Sequence, residues 1–315
     1  MPGNAVADVV FMGTPDFALP ALRALIARHR VMCVVTMPDR PAGRGLAPRI
    51  SPVKALALEH DLPLLQPRSL RRDEAIAALA QWQADLYVVA AFGLILPQRV
   101  LDMPPRGSLN IHASLLPRWR GAAPIQAAIR AGDAQSGVSL MLMDAGLDSG
   151  PVLAQRALRL APDETAQSLH DRLATQGAEL LIECLPDWLE GRLEPQPQDE
   201  TRVTLAPQLR KEDGWIDWSR PAADIERQIR AFTPWPGSHS NWDGRQLKLI
   251  EAEVIPGSAA PGQVIPLPGG VGIGTGAGLL RPRRLQLAGR KAQASADFLR
   301  GRRDFLHARL GSPDQ

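Results

Sequence analysis

Residues 108–113 read SLNIHA and place Asn110 and His112 two positions apart. On a β-strand, residues i and i+2 share a face. The carboxamide and the imidazole therefore point together, with Ile111 turned the other way. Asn supplies an NH₂ donor and His a ring N–H donor. Two such donors on one side of a crevice can hold a carbonyl oxygen that turns negative under nucleophilic attack. The chemistry suggested is transfer of an acyl-type group. A lone strand histidine is more often structural; what favours chemistry here is the pairing with Asn at a strand end, just before a Pro-containing loop. A third group comes from MDAGLDSGPVL (143–153), where Asp148 stands between Gly146 and Gly150 in a sharp turn. A carboxylate beside His112 can orient the ring and relay a proton through water. Asp144 is the competing acid, nearer the strand and better suited to capping the turn. Spacing alone does not choose between them.

These side chains need a frame. VVFMG (9–13), VMCVVT (31–36), LYVVAAFG (86–93), SLNIHA (108–113) and GVSLMLMD (137–144) read as strands. FALPALRALIARH (17–29), PVKALALEH (52–60), LRRDEAIAALAQW (70–82), PIQAAIRAG (124–132) and a long stretch over 165–191 read as helices. Alternation of this kind predicts an α/β domain with a mostly parallel sheet, Rossmann-like in outline, over 1–191. Such sheets bind ligands beyond the C-terminal ends of their strands, so Asn110, His112 and the 144–150 turn are expected there. Residues 192–208 are polar and Pro-dotted and predict a semi-extended linker. Residues 209–315, with short alternating runs between Gly and Pro, predict a smaller β-barrel, OB-like domain.

Composition narrows the choices. The chain has 315 residues, 45% hydrophobic and 22% charged, with a net charge of +3. It carries no run near the ~18 apolar residues of a membrane helix. The N-terminus reads as a first strand rather than a signal peptide. Cys33 and Cys184 lie among apolar residues and predict two free thiols in a reducing cytoplasm. GGVGIGTGAGLL (269–280) follows no clean strand and opens no helix, so it predicts hairpin turns rather than a dinucleotide fingerprint. Charge is uneven: 281–309 holds nine Arg and Lys against Asp297 and Asp304. That segment reads equally as a site for a polyanion or as a solvated face. Arg118, Trp119 and Arg120 could form a mouth for an anionic ligand or RNA.

FMGTPDFA (11–18), MPDRPAGRG (37–45), SPVK (51–54), AFGLILP (91–97), NIHASLLPRWRGAAPIQ (110–126), GVSLMLMDAGLDSGPVL (137–153), AFTPWPG (231–237) and LQLAGRKAQASADFLRG (285–301) occur in that order. Together they resemble the 10-formyltetrahydrofolate-dependent formyltransferase family, most closely its branch acting on methionyl-initiator tRNA. The resemblance implies a catalytic set of Asn110, His112 and Asp148, preferring Asp148 over Asp144. It implies a folate site formed by Ser114, Leu115, Leu116 and Pro117, with Phe92, Leu94, Ile95 and Leu96 opposite. It implies a mobile loop over 39–45 that meets the tRNA acceptor end through Arg40 and, above all, Arg44. Further RNA contacts are expected from Arg118, Arg120, Arg210, Lys211, Arg290 and Lys291. The implied protein is a cytoplasmic monomer that uses the folate as formyl donor and needs no metal. Three positions depart from the family pattern: Ala113 stands where Gly is commoner, Gln208 stands where Lys is usual, and LQLAGRK lacks a frequent Pro. Rival readings are a formyltransferase for an amino sugar nucleotide or another small amine, a non-catalytic tRNA-binding relative, and a hydrolase of the formyl donor.

Overall fold

Val9, Val10, Phe11 and Met12 are all fully buried, as a strand covered on both faces must be. They form β1 (Asp8–Gly13), an inner strand of the first sheet. The structure, a computed structural model, describes residues 6–42 and 47–311. Following β1 come α1 (Leu19–Arg28), β2 (Arg30–Val35), the ribbon β3 (Arg40–Ala42) and β4 (Ala47–Arg49), α2 (Pro52–Glu59), β5 (Leu64–Leu65) and α3 (Asp73–Ala80). Next are β6 (Leu86–Ala90), α4 (Gln98–Leu101), β7 (Ser108–His112), α5 (Pro124–Ala131), β8 (Gln135–Leu142), β9 (Val152–Arg159) and α6 (Ala166–Leu189). The sheet order is β5-β2-β1-β6-β7-β8-β9. Strands β5 to β7 run parallel, as expected of the Rossmann-like domain, and β8 and β9 then reverse as an antiparallel extension.

Local sequence explains the helix starts that matter. Ser51 caps α2 by accepting from the Lys54 N–H at 3.1 Å, with Pro52 as the first helical residue. The same helix steadies the base of the β3–β4 ribbon. The Lys54 ammonium lies 2.6 Å from Asp39, and Gln66 donates to the Met37 carbonyl at 2.9 Å and to Asp39 at 3.1 Å. Hydrogen bonds from Lys54 and then Gln66 hold the Asp39 carboxyl below its usual range.

Contacts divide the chain into two units. The first comprises Met1–Pro124, Gln135–Arg159 and His170–Ala206; the second comprises Ile125–Ala134, Leu160–Leu169 and Pro207–Gln315. In the second unit lie α7 (Ala222–Phe232), β10 (Ser238–Trp242), β11 (Arg245–Ile255), β12 (Val264–Leu267), β13 (Gly270–Gly274), β14 (Leu279–Leu287), β15 (Gln293–Ala294) and α8 (Ser295–Arg300). Its antiparallel sheet runs β10-β11-β14-β13-β12, with β15 on β14. Residues 308–311 bridge the two outer strands, Gln263 to Arg309 and Asn241 to Gly311, which closes the sheet into a barrel. Trp242, Leu247, Leu285, Phe298 and Phe305 fill it. The Gly-rich stretch is the β12–β13 hairpin and its exit.

Candidate active site

Asn110 and His112 sit on the last turns of the pleat of β7, buried at 9% and 6% exposure. Ile111 faces the opposite side, where its methyl lies against Gly177 of α6. Asn110 is in register with Val89 of β6, so the two donors share the face onto which Phe92, Leu96 and Val100 pack. Among the described residues no protein group takes the Asn110 carboxamide.

Asp148 reaches this pair by a route the strand-end expectation did not foresee. Because β8 is antiparallel to β7, Leu142 lies beside Leu109 and the Met143 N–H bonds Ser108. The 143–151 connection thus leaves from the start of β7, not its end. It folds back over the sheet face, so tightly that a Cβ on Gly150 would sit 1.9 Å from the Leu142 carbonyl. Asp148 Oδ2 then lies 3.7 Å from His112 Nδ1 and accepts the Gly121 N–H at 2.8 Å. Asp144 has a different job: its carboxylate accepts from the Gly146 N–H and the Ser149 hydroxyl, capping the turn.

The other ring nitrogen of His112 is 3.0 Å from the Trp119 carbonyl. A carbonyl only accepts, so Nε2 carries the hydrogen and Nδ1 faces Asp148. Three non-glycine residues around the site, Ala91, Trp119 and Asp148, have φ of +46°, +63° and +49°. Such left-handed backbone costs ~1–3 kcal/mol per residue and persists only where surrounding structure enforces it.

Much of that enforcement comes from residues 196–206, read above as linker. Gln196 exchanges two 2.8 Å backbone bonds with Val152. The Gln198 carboxamide donates to the Asp148 and Gly150 carbonyls at 2.8 and 2.7 Å. Thr204 and Ala206 pair with the 119–123 loop: Arg120 N–H to the Thr204 carbonyl, Ala206 N–H to the Arg120 carbonyl, and Ala123 N–H to the Ala206 carbonyl. No local sequence signal marks this role, since every partner is distant in the chain.

The remaining expected site residues scatter. Ser114 and Leu116 are buried and bound to the β8–β9 pair: Ser139 donates to the Ser114 carbonyl and accepts the Leu116 N–H, and Gln155 donates to the Leu116 carbonyl. Leu115 lies against Gly137, and Pro117 is half-buried. Phe92 and Leu96 belong to the core on that face of the sheet; Leu94 packs partly there and Ile95 is 69% exposed. Arg118 stacks over the Trp119 indole at 4.2 Å. Arg120 turns inward: it is 6% exposed, donates to Gln198 at 3.0 Å and pairs with Glu200 at 2.7 Å, so it presents no charge to an RNA. Arg40 opens β3, and Arg44 lies outside the described residues.

In the second unit, Arg210 and Lys211 are exposed at a short helical turn, and Arg290 and Lys291 are exposed between β14 and β15. The basic C-terminal excess is smaller than it reads. Arg281 and Arg283 pair with Glu253, and Arg284 with Glu251, across the β11–β14 ladder. Cys33 is buried, Cys184 is half-buried and both thiols are free.

An α/β sheet with Asn110 and His112 on one face and Asp148 beside His112, followed in sequence by an antiparallel domain, fits a group transferase. The chain belongs to the formyl transferase family: residues 7–185 match its formyl transferase domain and 208–303 its C-terminal domain. Full-length relatives carry a more particular name. Methionyl-tRNA formyltransferase of Pseudomonas paraeruginosa is 51% identical over 302 residues, covering 95% of this chain and 97% of its own. That of Geobacter sulfurreducens is 48% identical over 305 residues, covering 96% of each. The crystal structure of HypX from Aquifex aeolicus with tetrahydrofolic acid superposes at a TM-score of 0.64 and 21% identity, a likeness of fold. It covers 94% of this chain, which spans about half of HypX (47%).

Proposed function

We propose that this chain transfers the formyl group of 10-formyltetrahydrofolate to the α-amino group of methionyl-initiator tRNA, giving N-formylmethionyl-tRNA for translation initiation. The observation that carries this is the identity of about half with methionyl-tRNA formyltransferases along nearly the whole chain. The attacking amine has an ordinary pKa of about 7.7–8.0, so an appreciable fraction is neutral near pH 7 and no strong base is required. The amine nitrogen bonds to the formyl carbon, the bond from that carbon to the folate nitrogen breaks, and the proton lost by the amine ends on the folate nitrogen. Asn110 donates to the formyl oxygen as it becomes negative. His112 supplies the second donor when that oxygen takes the place of the Trp119 carbonyl at Nε2. Asp148 holds the ring from its Nδ1 side and, through water, carries the proton toward the leaving nitrogen. Supporting these roles are the shared face of Asn110 and His112 and the 3.7 Å approach of Asp148.

In this reading the folate lies between the 114–117 loop and the exposed side of Leu94 and Ile95. The tRNA is met by Arg40, Arg44 and Arg118 from the first unit, and by Arg210, Lys211, Arg290 and Lys291 from the second. The enzyme acts as a monomer in the cytoplasm, where its tRNA substrate is charged. A panel of acceptors with labelled 10-formyltetrahydrofolate tests the assignment. Charged initiator tRNA should take the label, and charged elongator tRNA and amino sugar nucleotides should not. Label appearing only on a small amine, or only in released formate, would overturn it.

A further inference from the structure

We infer that Gln198 is a positioning residue for Asp148, and that residues 196–206 form a strap holding together the two loops of the active site. The inference rests on the catalytic reading above. Asp148 is a non-glycine residue at φ +49° with its carboxylate on the Gly121 N–H and beside His112. The Asp144 cap holds the first half of its turn, and a left-handed non-glycine residue beyond it needs a further restraint. Gln198 grips Asp148's own carbonyl and that of Gly150, two residues on, with one NH₂ group at 2.8 and 2.7 Å. The orientation of that amide is itself fixed. Arg120 can only donate, and its Nε lies 3.0 Å from Gln198 Oε1, so the NH₂ must face the two carbonyls.

Arg120 is held in turn. It is buried, and both its terminal nitrogens bond Glu200, at 3.2 and 2.7 Å. A bidentate pair of this kind fixes the guanidinium plane. The Gly121 N–H that donates to the Asp148 carboxylate is the next backbone donor after Arg120. The side-chain chain Glu200–Arg120–Gln198 and the backbone bonds of Thr204 and Ala206 therefore set both ends of the Asp148 contact. Gln198 touches no reacting atom; it acts through Asp148.

The test compares Gln198→Leu and Gln198→Glu with Asp148→Asn and with the double variants, in the full chain. Leu keeps the bulk and loses every hydrogen bond. Glu keeps the contact with Arg120 but turns an acceptor oxygen toward the two carbonyls in place of the donated N–H groups, so it offers a second, polar variant if the apolar one is unstable. Each Gln198 single variant should lower kcat about 10–100-fold, with KM for folate and for charged initiator tRNA changed less than threefold. In the Asp148→Asn background, the same substitutions should cost less than a further threefold, since residues acting as one unit are non-additive. The imidazole ¹⁵N resonances of His112 should shift in Gln198→Glu as they do in Asp148→Asn. Wild-type kcat in a folded Gln198 variant, a loss confined to KM, or losses that multiply with Asp148→Asn would each overturn the inference. If Asp148→Asn itself turned over at the wild-type rate, the catalytic reading would fail instead.

Discussion

Oδ2 of Asp148 lies 3.7 Å from His112 Nδ1 and, at 2.8 Å, accepts the Gly121 N–H, so one carboxylate oxygen joins the loop after β7 to the loop after β8. The catalytic proposal predicts that Asn110→Ala and Asp148→Asn each lower turnover at least ~10²-fold, the usual cost of losing one oxyanion donor or its orienting partner. Thermal melting should show folded protein in both cases. Single-turnover formylation of charged tRNA measures the loss.

Gly121 is the hinge of that junction. Its φ is +117°, and a Cβ would lie 2.6 Å from the Ala206 carbonyl. Gly121→Ala should therefore push the strap from the 119–123 loop and destabilise the protein by ~1–3 kcal/mol, with turnover falling alongside. Urea denaturation and a formylation assay on the folded fraction check both effects.

Some of this geometry was legible in advance. The common face of Asn110 and His112 follows from a period of two, and four of the five parallel strands follow from apolar runs; β5, only Leu64–Leu65, carries no such run. Asp148 could be preferred over Asp144 only through family resemblance, because the reversal of β8 depends on pairing with β7, which spacing does not encode. The strap was invisible for the same reason. QPQDET has no apolar period, and Gln198 and Glu200 acquire their roles only against Asp148 and Arg120. The charge counted over 281–309 alone leaves out Glu251 and Glu253, which pair with Arg281, Arg283 and Arg284 from another strand.

Arginines that look alike in sequence should separate in a salt titration. Replacing both exposed residues Arg290 and Lys291 by Ala should lower the slope of log K against log salt for initiator tRNA by about one per lost phosphate contact. Arg120→Lys should leave the slope unchanged, because that side chain is bound to Glu200. Filter binding over a range of KCl concentrations measures it.

The barrel carries an acid-sensitive group. His239 is 1% exposed and packs edge-on against Trp215. Burial holds its imidazole below the ordinary 6.5; Lys248 and Lys211 add to this, while the Gly237 backbone and Glu212 oppose it. The unfolded chain then takes up the proton first. Stability contributed here is present above 6.5 and is lost as pH falls from there through the lowered folded value. Denaturation midpoints should drop over that window in the wild type and less steeply in His239→Asn.

Burial pushes the Cys33 thiol up to about 12, and burial raises Cys184 as well. Iodoacetamide at pH 8 should leave Cys33 unmodified in the folded protein and label it in denaturant. Peptide mass spectrometry reads the two sites separately.

The central claim is that His112, set between the Trp119 carbonyl and Asp148, serves formyl transfer to charged initiator tRNA. The most direct test is the single-turnover rate of N-formylmethionyl-tRNA formation from 10-formyltetrahydrofolate, wild type against folded His112→Ala. Product is expected from the wild type, and a rate lower by at least ~10²-fold in the variant. Formation of the product at the wild-type rate by folded His112→Ala, or no product from the wild type, would contradict it.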